Sequence, residues 1–210
     1  MGYDLKKWVN RMKSRTDLSA YTYHLTKSEL NEKGEVTMES LDRLLKIIKE
    51  KKLIGSNTQS GFITGNRKAV CFQDAPISGI TQNIMHEQDF REDLGGKVRY
   101  LAFGLAFSKV YIFQEGGRPV LYEKKEIAKE ILPRNEWWRI VNFDLDDEDN
   151  LIDWTHEREW RLPLDEFHFD LSFAIVILPN EHMYRKFIEK VPSEDLKSIK
   201  GIIQAGAVIY

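Results

Sequence analysis

A single cysteine, Cys71, is all that this 210-residue chain contains. That excludes an intramolecular disulfide framework and any multi-cysteine zinc site, and it fits a reducing compartment. No apolar run approaches the roughly 20 residues needed to cross a bilayer. The N-terminal Met-Gly-Tyr-Asp-Leu-Lys-Lys-Trp is polar and has no signal-peptide apolar segment. Lys6, where Ser or Thr is required, removes the myristoylation pattern from Gly2. The expectation is a cytoplasmic protein with no membrane partner. Excess charge of one sign is missing too: 31 Lys and Arg nearly balance 33 Asp and Glu. There is no global basic footprint for nucleic acid, although a local basic cleft stays open. No repeat, low-complexity tract or Pro/Gly/Ser-rich linker divides the chain, so one domain over 1–210 is expected. No Gly-rich phosphate loop occurs; Gly95-Gly96 and Gly116-Gly117 are turn signals.

Against these absences stand 42% hydrophobic and 11% aromatic residues, enough for a substantial core. Leu5, Trp8, Val9 and Met12 form one stripe and predict a helix over 3–14. The aromatic and β-branched residues of 20–26 predict a strand. Leu41, Leu44, Leu45 and Ile48 predict a helix over 38–52, with Thr37 as N-cap and Gly55 as stop. Residues 56–68 read as a polar loop. Further strands are expected at 69–73, 98–107, 109–113, 118–122, 137–144, 157–164, 171–178 and 201–210. Asp-Ala-Pro at 74–76 reads as a turn. Helices are expected at 124–131, 180–190 and 193–200. One early helix followed by many short strands argues for an α+β fold on antiparallel sheets.

The segment with most chemical content is Trp154–Leu162, Trp-Thr-His-Glu-Arg-Glu-Trp-Arg-Leu. In a strand, residues i and i+2 share a face, so Glu157 and Glu159 would lie together, with Arg158 and Trp160 opposite. Like charges that close resist joint ionisation. Such a pair suits a solvated edge strand or a working site. Two other pieces could meet it: Tyr23-His24 on the first strand, and Gly117-Arg118-Pro119-Val120-Leu121-Tyr122, where a turn delivers Arg118 into a strand.

The order of His24 on a first strand, a helix, later strands and a late Glu-x-Glu resembles the ADP-ribosyltransferase fold. It is closest to the DNA-targeting toxin branch, in which a strand similar to Arg-x-Pro-x-Leu-Tyr occurs. The Ser-Thr-Ser element usual in that fold is missing. Ala-Val-Cys-Phe-Gln-Asp-Ala-Pro-Ile, Phe-Gly-Leu-Ala-Phe-Ser-Lys, Gly-Gly-Arg-Pro-Val-Leu-Tyr and Glu-Arg-Glu-Trp-Arg look like the AbiGi-type family of abortive phage-infection proteins, over roughly residues 20–165. The first resemblance implies a split antiparallel sheet with flanking helices and NAD as substrate, used by a transferase or glycohydrolase. Glu159 would stabilise the oxocarbenium that develops when the nicotinamide–ribose bond breaks, and Glu157 would orient or deprotonate the acceptor. His24, Arg118, Tyr122 and Arg67 would bind the dinucleotide, an arginine fork holding its pyrophosphate; Arg161 is a further candidate for that fork. The acceptor could be a nucleobase, a protein side chain or water. The second resemblance implies phage defence and a toxin–antitoxin setting, with an alternative role as a non-catalytic antitoxin or partner. Ile202, Ile203, Val208, Ile209 and Tyr210 would then offer a docking surface, or else a core strand.

Other chemistry is weaker. Asp144, Asp146, Asp147, Glu148 and Asp149 lack the glycine and terminal Glu of a calcium loop. Cys71 beside His24 or His86 would make a nucleophile pair, but its apolar strand predicts an inert thiol. His156 and His168 have no third metal ligand at suitable spacing, so no metal is expected. Trp137 and Trp138, with Arg134 and Arg139, could stack nucleobases, yet one tryptophan must face inward. Arg67 and Lys68 leave a nuclease-like reading.

Overall fold

The computed structural model describes residues 2–31, 33–59, 62–93 and 99–209. In chain order the elements are α1 (Leu5–Lys13), β1 (Tyr21–Thr26), β2 (Glu29–Leu30), β3 (Val36–Met38), α2 (Ser40–Glu50), β4 (Lys52–Ile54), β5 (Val70–Gln73), α3 (Ile77–Asp89), β6 (Phe103–Ser108), α4 (Lys109–Gln114) and β7 (Arg118–Pro119). There follow β8 (Leu121–Glu123), α5 (Lys125–Ile131), β9 (Ile140–Asn142), β10 (Glu159–Leu162), β11 (Glu166–His168), β12 (Ile175–Leu178), α6 (Glu181–Lys190), α7 (Ser193–Ser198), β13 (Gly201–Gln204) and α8 (Gly206–Ile209). The fold is mixed α and β, organised on a seven-stranded sheet in the order β13-β12-β6-β1-β5-β10-β7. Neighbours in it are antiparallel except β12 and β13, which run parallel. Pro119 lies on the edge strand β7, where no ladder donor is missed.

Strand β6 shows how the sequence builds two layers. Phe103, Leu105 and Phe107 alternate into one core with Leu44 and Ile48 of α2 and Phe187 of α6. Ala102 and Ala106 point the other way, into a core with Ile80 and Ile84 of α3 and Ile177 of β12. In the first core Phe72, Phe107, Phe167 and Phe169 meet edge-on with centroids 5.0 to 6.4 Å apart, the arrangement aromatic quadrupoles favour. Gly104 sits between the alanines because a Cβ there would collide with the His24 carbonyl and lie 3.0 Å from Leu25 Cα.

One seam in the sheet is held by few backbone bonds. Strand β1 pairs with β6 at six positions, and β5 pairs with β10 at four. Between β1 and β5 the ladder has only Tyr23 opposite Gln73. Beyond that pair a side chain takes over from the backbone: His24 Nδ1 reaches the Cys71 carbonyl at 2.9 Å.

Several expected elements differ. Residues 77–89, for which no element was expected beyond the turn at Asp-Ala-Pro, form a helix. Its buried positions Ile80, Thr81, Ile84 and Glu87 follow helical spacing, but Gly79 and Thr81 obscure the pattern. Residues 109–114 are helical rather than extended. A 3₁₀ turn at Arg134–Arg139 precedes β9, and another at Leu171–Phe173 precedes β12. Helix α2 is capped at Glu39, not Thr37, which belongs to β3. It ends on Lys51 at φ 53°, so Lys52 begins β4. The expected closing strand stops at Gln204 and turns into α8. The Gly95-Gly96 turn, Val98 at the start of one expected strand, and Tyr210 lie outside the described residues.

Candidate active site

Strand β10 begins at Glu159, so the two acids are not neighbours on one extended strand. Glu157 closes a 3₁₀ turn, Thr155–Glu157, and Arg158 between them adopts the left-handed conformation at φ 46°. That conformation is uncommon for a non-glycine residue and costs on the order of 1 kcal/mol. Arg158 is held in it from three sides. Its guanidinium donates to the Asp17 carbonyl at 2.6 Å, its N–H to Thr155, and its carbonyl accepts from Asp74. The kink still delivers both carboxyls to one cleft of about 520 Å³ along the β1–β5 seam. That volume lies within the range of small-molecule sites. Tyr23, His24, Cys71, Gln73, Glu157 and Glu159 are among the residues that line it, together with Arg43 and Lys46 of α2.

The two acids have different environments. Glu159 is buried and holds Arg161 through two bonds, Nε to Oε1 at 2.7 Å and Nη2 to Oε2 at 3.1 Å. Its backbone N–H donates to the Tyr122 hydroxyl at 2.7 Å. Glu157 has no cationic partner at bonding distance among the described residues. Burial, reinforced by the charge of Glu159, pushes its carboxyl up to about 8. It accepts a hydrogen bond from the Tyr100 hydroxyl. At neutral pH Glu157 therefore carries a proton beside a charged, ion-paired Glu159. A carboxyl raised in this way toward neutral pH is suited to proton transfer.

His24 is neutral, its pKa lowered to about 4 by burial, against the bond to Cys71, with a further push from Arg43. A carbonyl only accepts, so Nδ1 carries the proton and Nε2 is left as an acceptor. Cys71 is an inert thiol: burial, with Glu159 beside it, raises it well above the ordinary range.

The expected residues thus divide. His24, Glu157 and Glu159 line the cleft, although the register that sets Tyr23, Gln73 and Glu159 side by side turns His24 to the opposite face of the sheet, against Phe72. Arg118, Tyr122 and Arg67 are not among the residues lining it. Arg118 lies 3.8 Å over the Phe113 ring and donates to the Phe113 and Gly117 carbonyls. Arg67 donates to Pro163 at 3.1 Å, beside Trp138. Tyr122, pushed up to about 12 chiefly by burial, supports the Glu159 backbone from behind. Arg161 cannot clamp a ligand, because its five N–H groups are committed to Glu159, Trp138, Ile140 and Phe62. Trp138 is the inward-facing tryptophan of its pair.

The cations that flank the cleft are Lys27, Arg43, Lys46, Lys52 and Arg99. Arg43 and Lys46 are one turn apart on the polar side of α2, opposite Leu41, Leu44 and Ile48, and that spacing was available in the sequence. A second cleft of about 670 Å³, lined in part by His86, Trp154 and His156, shares Arg99 and Tyr100 with the first. Among the described residues no group of three His, Cys, Asp or Glu could hold a metal ion. No helix among them is long and apolar enough to cross a membrane.

No protein-family model matches this chain, and neither does any curated protein or solved structure.

Proposed function

We propose that the chain is an NAD-consuming enzyme with an ADP-ribosyltransferase-like split sheet, which cleaves the nicotinamide–ribose bond and passes ADP-ribose to an acceptor or to water. The observation that carries this reading is the meeting of His24, Glu157 and Glu159, from distant parts of the chain, in one cleft at the β1–β5 seam. Breakage of the C–N bond releases nicotinamide with the bonding pair and leaves an oxocarbenium on the ribose. Glu159, fixed by Arg161 and Tyr122, supplies the carboxylate that faces this charge and holds a ribose hydroxyl. His24 Nε2 accepts from a second hydroxyl. The acceptor bonds to the anomeric carbon and its proton passes to the ionised form of Glu157, whose pKa of about 8 sits close to working pH. Arg43 and Lys46 take the pyrophosphate. An acceptor entering by the second cleft would reach Tyr100 and through it Glu157. A role in phage defence, implied by the AbiGi resemblance, belongs to the same proposal.

Nicotinamide release by wild type and Glu157→Gln tests the reading. Glu157 is the better probe because Glu159→Gln would also strip a buried arginine of its counter-ion. The expected loss is about 100-fold or more, and wild-type turnover should rise with pH and level off above about 8. Equal turnover in both proteins would remove Glu157 from the mechanism. No turnover in wild type, across water, protein and nucleic-acid acceptors, would favour the non-catalytic partner role.

A further inference from the structure

Strand β5 ends in Gln73, the one residue of β5 that pairs across the seam as well as with β10. Its backbone faces Tyr23 on one side and Glu159 on the other. The residue is 7% exposed and lines the cleft. Its Oε1 is buried and has no hydrogen-bond partner among the described residues. Glu159, a carboxylate, offers no donor; Arg161 gives its N–H groups to Glu159 and to three carbonyls, and His24 Nδ1 is bonded to Cys71. A buried acceptor left alone is destabilising, and the large majority of buried side-chain polar atoms in native proteins have a partner. Leucine or methionine would fill the same space without that cost. A polar group retained unpaired at the floor of a cleft suits a site whose ligand completes it.

We infer that Gln73 is the specificity residue of this cleft and that its side-chain amide pairs with a primary carboxamide on the ligand. Oε1, closed off from the cleft in this structure, turns outward with the side chain to accept the ligand's N–H, while Nε2 donates to the ligand's C=O. This two-point pairing reads a carboxamide and rejects a carboxylate or a ketone. The inference rests on the NAD reading, whose nicotinamide supplies such a group, and it places that ring at the Tyr23–Gln73–Glu159 end of the cleft. The anomeric carbon is thereby brought beside the two acids, with the pyrophosphate toward Arg43 and Lys46.

The test compares NAD with its 3-acetylpyridine analogue, in which a methyl replaces the amide NH₂, by calorimetry on wild type and Gln73→Met. Wild type should bind NAD at least about tenfold more tightly than the analogue. The variant should bind the two alike. Its ligand-free melting temperature should match or exceed that of wild type, since an orphan acceptor has been removed. An unchanged preference in the variant overturns the inference and leaves the NAD reading standing. So does a fall of more than about 4 °C in melting temperature, which would mark the amide as structurally satisfied. If wild type takes up no NAD, the dinucleotide reading fails. Gln73 is then judged on free nicotinamide against 3-acetylpyridine by ligand-observed NMR. Selective nicotinamide binding that Gln73→Met abolishes upholds the role; binding that persists in the variant, or is absent from wild type, overturns it.

Discussion

Glu157 and His24 are displaced from their ordinary titration ranges in opposite senses, and each leaves a mark on stability. The folded Glu157 carboxyl, at about 8, lies above its ordinary 4.5. Between those values the native state holds a proton that the unfolded chain has released. Stability from this group is complete below about pH 4.5 and is lost as pH rises through about 8. His24, at about 4 against 6.5, behaves conversely: its contribution is present above 6.5 and is lost as pH falls through about 4. Glu157→Gln should therefore become more stable relative to wild type as pH rises, by on the order of 2 kcal/mol or more between pH 5 and pH 8. Paired urea titrations across that range measure it, and a pH-independent difference would show that Glu157 is not perturbed. That His24, Glu157 and Glu159 could line one cleft was legible in their order along the chain, with histidine scarce and the two glutamates closely spaced. The upward shift of Glu157 was not, because it comes from burial and from the charge of Glu159, which act on it only in the folded chain.

At the scale of elements, β10 is the strand on which the site depends. Arg161 joins it to the 3₁₀ turn before β9 and to the Phe62 loop through carbonyls at 2.8 to 3.1 Å, while pairing with Glu159. Lysine has three donors on one point and cannot reproduce this fork. Arg161→Lys should cost about 2–4 kcal/mol, from carbonyls left unsatisfied and a weakened buried pair. A denaturation midpoint within about 0.5 kcal/mol of wild type would show that the network is dispensable. Element boundaries were the least legible part of the sequence around this strand. The alternation Glu157-Arg158-Glu159-Trp160 reads as continuous strand, and no residue type there announces a left-handed kink. Arg158 adopts it because Asp17, Thr155 and Asp74, remote or local, bond to it in that geometry. Helix α3 was obscured for a different reason: Gly79, Thr81 and Asn83 have weak helix propensity, and packing of Ile80 and Ile84 into the second core overrides it.

For the whole molecule, the question is which charges a dinucleotide would meet, and the fold answers differently from the sequence order. Gly117-Arg118-Pro119 stands out along the chain, but α4 and the turn after it absorb Arg118 through the Phe113 ring and two carbonyls. Arg43 and Lys46 are inconspicuous on a charged helix face, yet α2 packs its apolar side on the sheet and turns that polar side to the cleft. Arg43 is only loosely held, 3.8 Å from Glu29 and 3.3 Å from the Lys27 carbonyl, so a phosphate can compete for it. NAD at 100 times its dissociation constant should stabilise the protein by about 2.7 kcal/mol, raising the melting temperature by roughly 5–10 °C for a chain of this size. Arg43→Ala and Lys46→Ala should each remove much of that rise at fixed NAD concentration, with the double variant close to no shift. Arg118→Ala and Arg67→Ala should keep it. A thermal-shift series over wild type and the five variants, each read with and without NAD, separates the two arrangements. If the rise survives in the Arg43 and Lys46 variants and disappears with Arg118→Ala, the dinucleotide does not lie along the seam, and the placement of its pyrophosphate against α2 is wrong.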